Sequence, residues 1–226
     1  MTSIVTPEAR QRVRGIATPI AVFLGRIGLT PNGLTLIGFL GTCVAAFAAG
    51  AQAWLAAGIL VLVFGIFDLF DGTLARATGK VSRFGAFLDS TLDRAGESIV
   101  YVGIAFGSLD AGLPEGGVLA AAAMGAAFMV SYTRAKSESL GFTPGTGMAS
   151  VGLAPREVRI AILTIGLMWL GLLPSSLCGI QDGFYSDCLP EGGAPVLLGT
   201  LAMITILATI TAIQRILHVR TQARED

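Results

Sequence analysis

Residues 68–93 read Asp68-Leu-Phe-Asp71-Gly72-Thr-Leu-Ala75-Arg76-Ala-Thr-Gly79-Lys80-Val-Ser-Arg83-Phe-Gly85-Ala-Phe-Leu-Asp89-Ser-Thr-Leu-Asp93. Four aspartates fall in this stretch, while the residues on either side of it are those of lipid-embedded helices. A carboxylate near the bilayer interior is costly to bury, so a cluster of them marks function and needs a compensating cation. On a helix, Asp68 and Asp71 lie three apart with Ala75 continuing their face, and Gly85, Asp89 and Asp93 follow at four-residue steps on another. Gly79 suits a helix stop between them. If the short basic connection makes the two helices an antiparallel pair, their faces close a cage of four carboxylates. Such a cage suits one or two hard cations, Mg²⁺ or Mn²⁺, which leave positions open for substrate phosphates. Two such ions can clamp the attacking and leaving oxygens of a phosphoryl displacement. The small residues Gly72, Ala75 and Gly85 leave room beside the carboxylates for a bulky group, although an isolated glycine would ordinarily signal close helix packing.

Working outward, the chain of 226 residues is 53% hydrophobic and 13% charged, with a mean hydropathy of +0.74, far more apolar than a soluble domain. Segments long enough to cross a bilayer, roughly 20 residues each, run over 33–50, 52–74, 84–108, 117–139, 157–174 and 194–216. The expected fold is therefore an all-α integral membrane domain spanning residues 1–226, with six transmembrane helices over 33–216. Before them, Ile16, Ile20, Phe23, Leu24 and Ile27 repeat at helical spacing beside Arg12, Arg14 and Arg26, which predicts an interfacial amphipathic helix over 8–28.

Arg76, Lys80 and Arg83, then Arg134, Lys136, Arg156 and Arg159, then Arg215, Arg220 and Arg224 fall in alternate connections or at the C-terminus. The intervening connections carry Asp110, Glu115, Asp182, Asp187 and Glu191 instead. The positive-inside rule then places both termini and the aspartate cluster on the cytoplasmic side. Cys178 and Cys188 share an outer loop that permits a disulfide, whereas Cys43 reads as packing. His218 is expected at the headgroups, and the Gly/Pro-rich segment 141–155 as a loop over the site. No 20–50-residue repeat, Cys-x-x-Cys or histidine-rich tract occurs, which removes solenoids and the usual zinc or redox motifs.

The pattern Asp68-x2-Asp71-Gly72-x2-Ala75-Arg76-x8-Gly85-x3-Asp89-x3-Asp93 resembles the complete signature of the CDP-alcohol phosphotransferase family. The resemblance implies a six-helix membrane enzyme that moves a phosphatidyl group from CDP-diacylglycerol to an alcohol and releases CMP, using Mg²⁺ or Mn²⁺, two ions in all. By the same resemblance Asp68, Asp71, Asp89 and Asp93 hold metal, and Asp93 is also the base that takes the acceptor proton. Pro31, Asn32, Asp68, Asp71, Gly72, Ala75, Arg76 and Gly85 would bind CDP-diacylglycerol, with Arg76 at a phosphate; a homodimer is implied too. Ile16 to Ile20, Gly28 to Asn32 through Thr35, Ser131 to Lys136 and Gln214-Arg215 resemble the branch of the family whose acceptor is inositol phosphate. Arg134, Lys136, Arg156 and Arg159, and more weakly Arg215, would then bind the acceptor phosphate.

Glycerol 3-phosphate is the alternative acceptor, and a small cation transporter the alternative of another class. An ion path would need polar groups through both halves of the membrane. The outer halves of the predicted spans lack acids, so the path would stop halfway. A structural scaffold is a third reading, in which the signature is coincidence.

Overall fold

The computed structural model describes residues 18–142, 151–174, 180–181, 184–185 and 189–224, with only the backbone described at 68, 69, 180, 181, 184 and 185. The expected disulfide partners Cys178 and Cys188, the first half of the interfacial helix and most of the Gly/Pro-rich loop lie outside these residues. Among the described residues there are seven helices: α1 (18–26), α2 (Pro31–Gly50), α3 (Trp54–Ala77), α4 (Arg83–Asp110), α5 (Pro114–Ser139), α6 (Arg156–Leu172) and α7 (Gly193–Gln222). The only strands among the described residues are β1 (Ile180–Gln181) and β2 (Phe184–Tyr185), an antiparallel two-residue ladder between α6 and α7.

Local chemistry explains the helix ends nearest the aspartates. Thr30 caps α2 by accepting from Gly33 N at 3.1 Å, with Pro31 at the first helical position, where a missing N–H costs nothing. Ser82 caps α4 by accepting from Gly85 N at 2.9 Å. Helix α3 ends as expected at Gly79, whose φ of 66° only glycine adopts without strain. There Lys80 N donates to Ala75 O and Gly79 N to Arg76 O, a Schellman motif.

Four of the helices, α2, α3, α5 and α7, are long and apolar enough to cross a membrane by themselves. Two that the hydropathy reading also counted fall outside that set for separate reasons. Helix α4 is long enough but carries Asp89, Asp93, Arg94 and Glu97, and α6 has only 17 residues. Large apolar side chains stand exposed along the helices, with Phe47 78%, Phe106 64% and Trp169 61% exposed, as suits lipid-facing positions. The core beneath mixes Leu, Ile and Val with many small side chains, including Ala45, Ala49, Ala57, Ala120, Ala123 and Ala208.

The six long helices pack in a closed order, α2 to α4, α4 to α5, α5 to α7, α7 to α6, α6 to α3 and α3 back to α2. This corrects the expectation that α3 and α4 form a directly packed antiparallel pair: α2 stands between them. The reason is side-chain size. A Cβ placed on Gly103 or Gly107 of α4 would come within 2.1 Å of Ala46 O or 2.2 Å of Ala49 O, so the backbones of α2 and α4 almost touch. On its other flank, α2 seats the Phe64 ring against Gly41. Helix α1 docks by Ala21 and Gly25 against Leu34 and Leu74, leaving Phe23 and Ile27 exposed on its other side.

Candidate active site

Because α2 separates α3 from α4, the aspartate-bearing ends of those two helices enclose a space instead of closing on each other. A narrow cavity of about 50 Å³ lies there, walled by α2 (Thr35, Gly38, Thr42), α3 (Phe64, Asp71), α4 (Asp93, Gly96, Glu97) and α6 (Arg156, Ile160). Its polar side chains come from four different helices, and three of them, Asp71, Asp93 and Arg156, are residues the sequence singled out.

Asp71 is 5% exposed, and its Oδ2 accepts from Thr35 Oγ1 at 2.7 Å. The Thr35 hydroxyl also lies 3.1 Å from Pro31 O. A hydroxyl has one proton, and the charged, shorter partner takes it. Asp93 Oδ2 forms an ion pair with Arg156 Nη1 at 2.9 Å, both side chains partly exposed. One turn further along both helices, Glu97 Oε1 and Oε2 accept from Arg159 Nε and Nη2, each at 2.8 Å, and here the side chains are 6% and 1% exposed. Helix α4 thus carries a stripe at four-residue steps, Gly85, Asp89, Asp93 and Glu97, and its last two carboxylates meet Arg156 and Arg159 of α6.

Glu97 is absent from the sequence signature, and Thr35 stands only within the stretch that resembles the inositol-phosphate branch, with no role of its own. Glu97 continues the four-residue spacing of the signature and could have been found by extending it. The contact of Thr35 with Asp71 had no local signal, because only the packing of α2 on α3 makes it.

The remaining expected residues are distributed as follows. Asn32 and Gly85 adjoin, since a Cβ on Gly85 would lie 3.1 Å from Asn32 Oδ1. Gly72 leaves room for the Arg76 guanidinium, which would stand 3.4 Å from a Cβ there. Ala75 and Pro31 are half-buried, as is Asp89. Arg134 pairs with Glu138 at 2.8 Å on the exposed end of α5, and Lys136 is exposed beside it. Arg159 and Arg215, the other two residues expected at the acceptor phosphate, each make hydrogen bonds within the protein. Arg159 is taken up by Glu97 and also donates to Ala154 O at 3.1 Å. Arg215, 3% exposed, donates to Val151 O and Val130 O at 3.0 and 2.5 Å. These two arginines hold the residues that lead into α6, Arg215 also ties them to Val130 within α5, and Thr211 Oγ1 reinforces the clasp by accepting from Ala154 N at 2.9 Å.

Among the described residues no three Asp, Glu, His or Cys side chains gather closely enough to hold a metal. The side chain of Asp68, the first of the expected ligands, lies outside those residues. The donor chemistry that is described does fit a hard divalent cation: Asp71 and Asp93 offer carboxylate oxygens to one cavity with no competing thiolate or imidazole in its wall.

A family model described as CDP-alcohol phosphatidyltransferase matches residues 28–181. An archaetidylinositol phosphate synthase of Pyrococcus horikoshii is 40% identical over 169 residues, covering 75% of this chain and 83% of its own. A phosphatidylinositol phosphate synthase of Streptomyces avermitilis is 33% identical over 99% of this chain and 85% of its own length. Among solved structures, the phosphatidylinositol phosphate synthase of Mycobacterium tuberculosis with CDP-DAG bound superimposes with a TM-score of 0.73 at 27% identity, covering 91% of this chain and 94% of that one. The same enzyme in complex with manganese and citrate gives 0.72 at 27% identity, over 91% and 89%.

Proposed function

The chain belongs to the CDP-alcohol phosphatidyltransferase family, and on that footing we propose that it transfers the phosphatidyl group of CDP-diacylglycerol to an inositol phosphate, forming phosphatidylinositol phosphate and CMP. The observation that carries this reading is one cavity to which α3 and α4 bring signature carboxylates, Asp71 and Asp93, and α6 brings a cation, Arg156. A donor pyrophosphate needs the first kind of group to assemble its counter-ions, and a phosphorylated acceptor needs the second.

In this account Asp93 takes the proton of the acceptor hydroxyl, a role that requires hydrogen-bond reach to that oxygen. The hydroxyl oxygen bonds to the lipid-side phosphorus, and the bond from that phosphorus to the CMP oxygen breaks, so CMP leaves with the electron pair. Gly72, Ala75 and Gly85 make space for the cytidine half of the donor beside Pro31 and Asn32. Arg76 neutralises a donor phosphate, where an always-charged guanidinium has the advantage. Asp68, Asp71, Asp89 and Asp93 are the residues that would hold Mg²⁺ or Mn²⁺. When bound, such ions supply charge neutralisation for the pyrophosphate. Arg156, with Arg134 and Lys136 from the end of α5, draws in the acceptor phosphate. The lipid tails stay in the bilayer, with α2 to α7 spanning it, α1 lying on its inner surface and the site open to the cytoplasm.

Purified protein with Mg²⁺ and CDP-diacylglycerol, offered inositol phosphate, glycerol 3-phosphate, free inositol or serine separately, tests the assignment. Rapid CMP release with inositol phosphate alone is expected. Faster release with glycerol 3-phosphate would overturn the acceptor, and no release with any of them would overturn the transferase reading.

A further inference from the structure

Helix α6 meets α4 through two ion pairs one helical turn apart, and the two differ in kind. Arg156–Asp93 is partly exposed and stands on the cavity wall. Arg159–Glu97 is dry and two-pronged; Glu97 forms part of that wall, while Arg159 reaches it from behind. Arg156 occupies the first position of α6, where the helix dipole disfavours a positive charge, and the side chain of Pro155 before it provides no cap. Its placement is therefore held by something other than helix preference. A local rule broken beside a site is where function is expected.

Arg159 is suited to supply that hold. Its guanidinium binds Glu97 with Nε and Nη2 and Ala154 O with Nη1, so one buried side chain fixes both the register of α6 on α4 and the turn that launches α6. Planar, bidentate pairing gives Arg159 a single orientation relative to Glu97. With that rung fixed, Arg156 on the preceding turn is delivered to the cavity.

Resting on the transferase reading above, we infer that Glu97 and Arg159 are a positioning pair for acceptor binding: they do not touch the acceptor but aim Arg156 at its phosphate. The inference sets Arg159 apart from a direct phosphate ligand, and the two roles predict opposite behaviour at Glu97. A direct ligand would be released by removal of Glu97 and would bind phosphate at least as well. A positioned one loses its reference point.

The test is steady-state CMP release by the full chain in Mg²⁺ with inositol phosphate, comparing the wild type with Glu97→Gln, Arg159→Gln and the double variant Glu97→Leu/Arg159→Leu. Each single change is expected to raise the acceptor KM roughly tenfold or more, since small misplacements at a reacting centre have large effects. The KM for CDP-diacylglycerol should stay within about twofold, and the double variant should be no worse than either single one. An acceptor KM that is unchanged or lower in Glu97→Gln, with Arg159→Gln impaired, would overturn the inference and make Arg159 a direct ligand. If unpaired charge prevents the single variants from folding, Glu97→Asp, which keeps both charges but draws the carboxylate back from Arg159, decides. An acceptor KM raised about tenfold supports positioning and one within about twofold of wild type overturns it. A wild type that releases CMP with no acceptor would overturn the transferase reading beneath it, which is a different result.

Discussion

Substituting alanine for Gly103 perturbs the spacing of α2 and α4 on which the cavity depends. The added Cβ would stand 2.1 Å from Ala46 O, 2.8 Å from Ala46 C and 2.9 Å from Ala46 Cα, all backbone atoms that no rotamer change can move. The helices must separate by the better part of an ångström along their tightest line of contact, and overpacking of this kind costs about 1–3 kcal/mol. Alanine's preference for the helix over glycine offsets about 0.5–1 kcal/mol of that. The net loss is then roughly 1–2 kcal/mol, or about 2–8 °C in Tm for a chain of this size. Gly125 and Gly199 are the internal controls, because a Cβ on either meets nothing within 4 Å. Thermal unfolding in detergent, followed by circular dichroism at 222 nm, should show Gly103→Ala below wild type and Gly125→Ala and Gly199→Ala at or above it. A Gly103→Ala melt coinciding with those controls would refute the close approach of α2 and α4. With it would go the argument that α2 holds α3 and α4 apart.

Thr35→Val removes the donor to a carboxylate that is 5% exposed while nearly preserving shape. The Mn²⁺ concentration for half-maximal CMP release should rise by about 10–100-fold, the usual effect of losing a hydrogen bond behind a metal ligand; an unchanged metal requirement would remove Thr35 from the site. Asp93→Asn should abolish CMP release while CDP-diacylglycerol still binds, as read by equilibrium dialysis of the labelled donor, and turnover near wild type would show the base to be another group.

Much of the helical layout could be read from the chain, because its determinants are local. Thr30 and Ser82 cap the helices they precede, Gly79 stops α3 in the left-handed conformation, and the expected span 33–50 becomes Pro31–Gly50. The signature aspartates were legible for the same reason, since a carboxylate in an apolar run has no innocuous explanation. The order of packing was not. In a membrane both the buried and the lipid-facing sides of a helix are apolar, so periodicity does not show which side meets a neighbour. The choice of α2 as the element between α3 and α4 rests on fits such as Gly103 to Ala46 and Gly41 to Phe64, between residues far apart in sequence. The fate of Arg159 was hidden by the same limit. As a basic residue at the start of a helix it reads as an anion-binding group, and only the structure shows Glu97 already in contact with both prongs of its guanidinium.

The claim on which the account most depends is that α3 and α4, held apart by α2, present Asp68, Asp71, Asp89 and Asp93 to a common divalent cation. Crystals of the protein grown with Mn²⁺, measured at the manganese absorption edge, test it directly. The account predicts anomalous density bounded by those four side chains, within about 2.1 Å of carboxylate oxygens. Carboxylates turned away from one another with no manganese between them, or manganese bound only elsewhere in the chain, would contradict it.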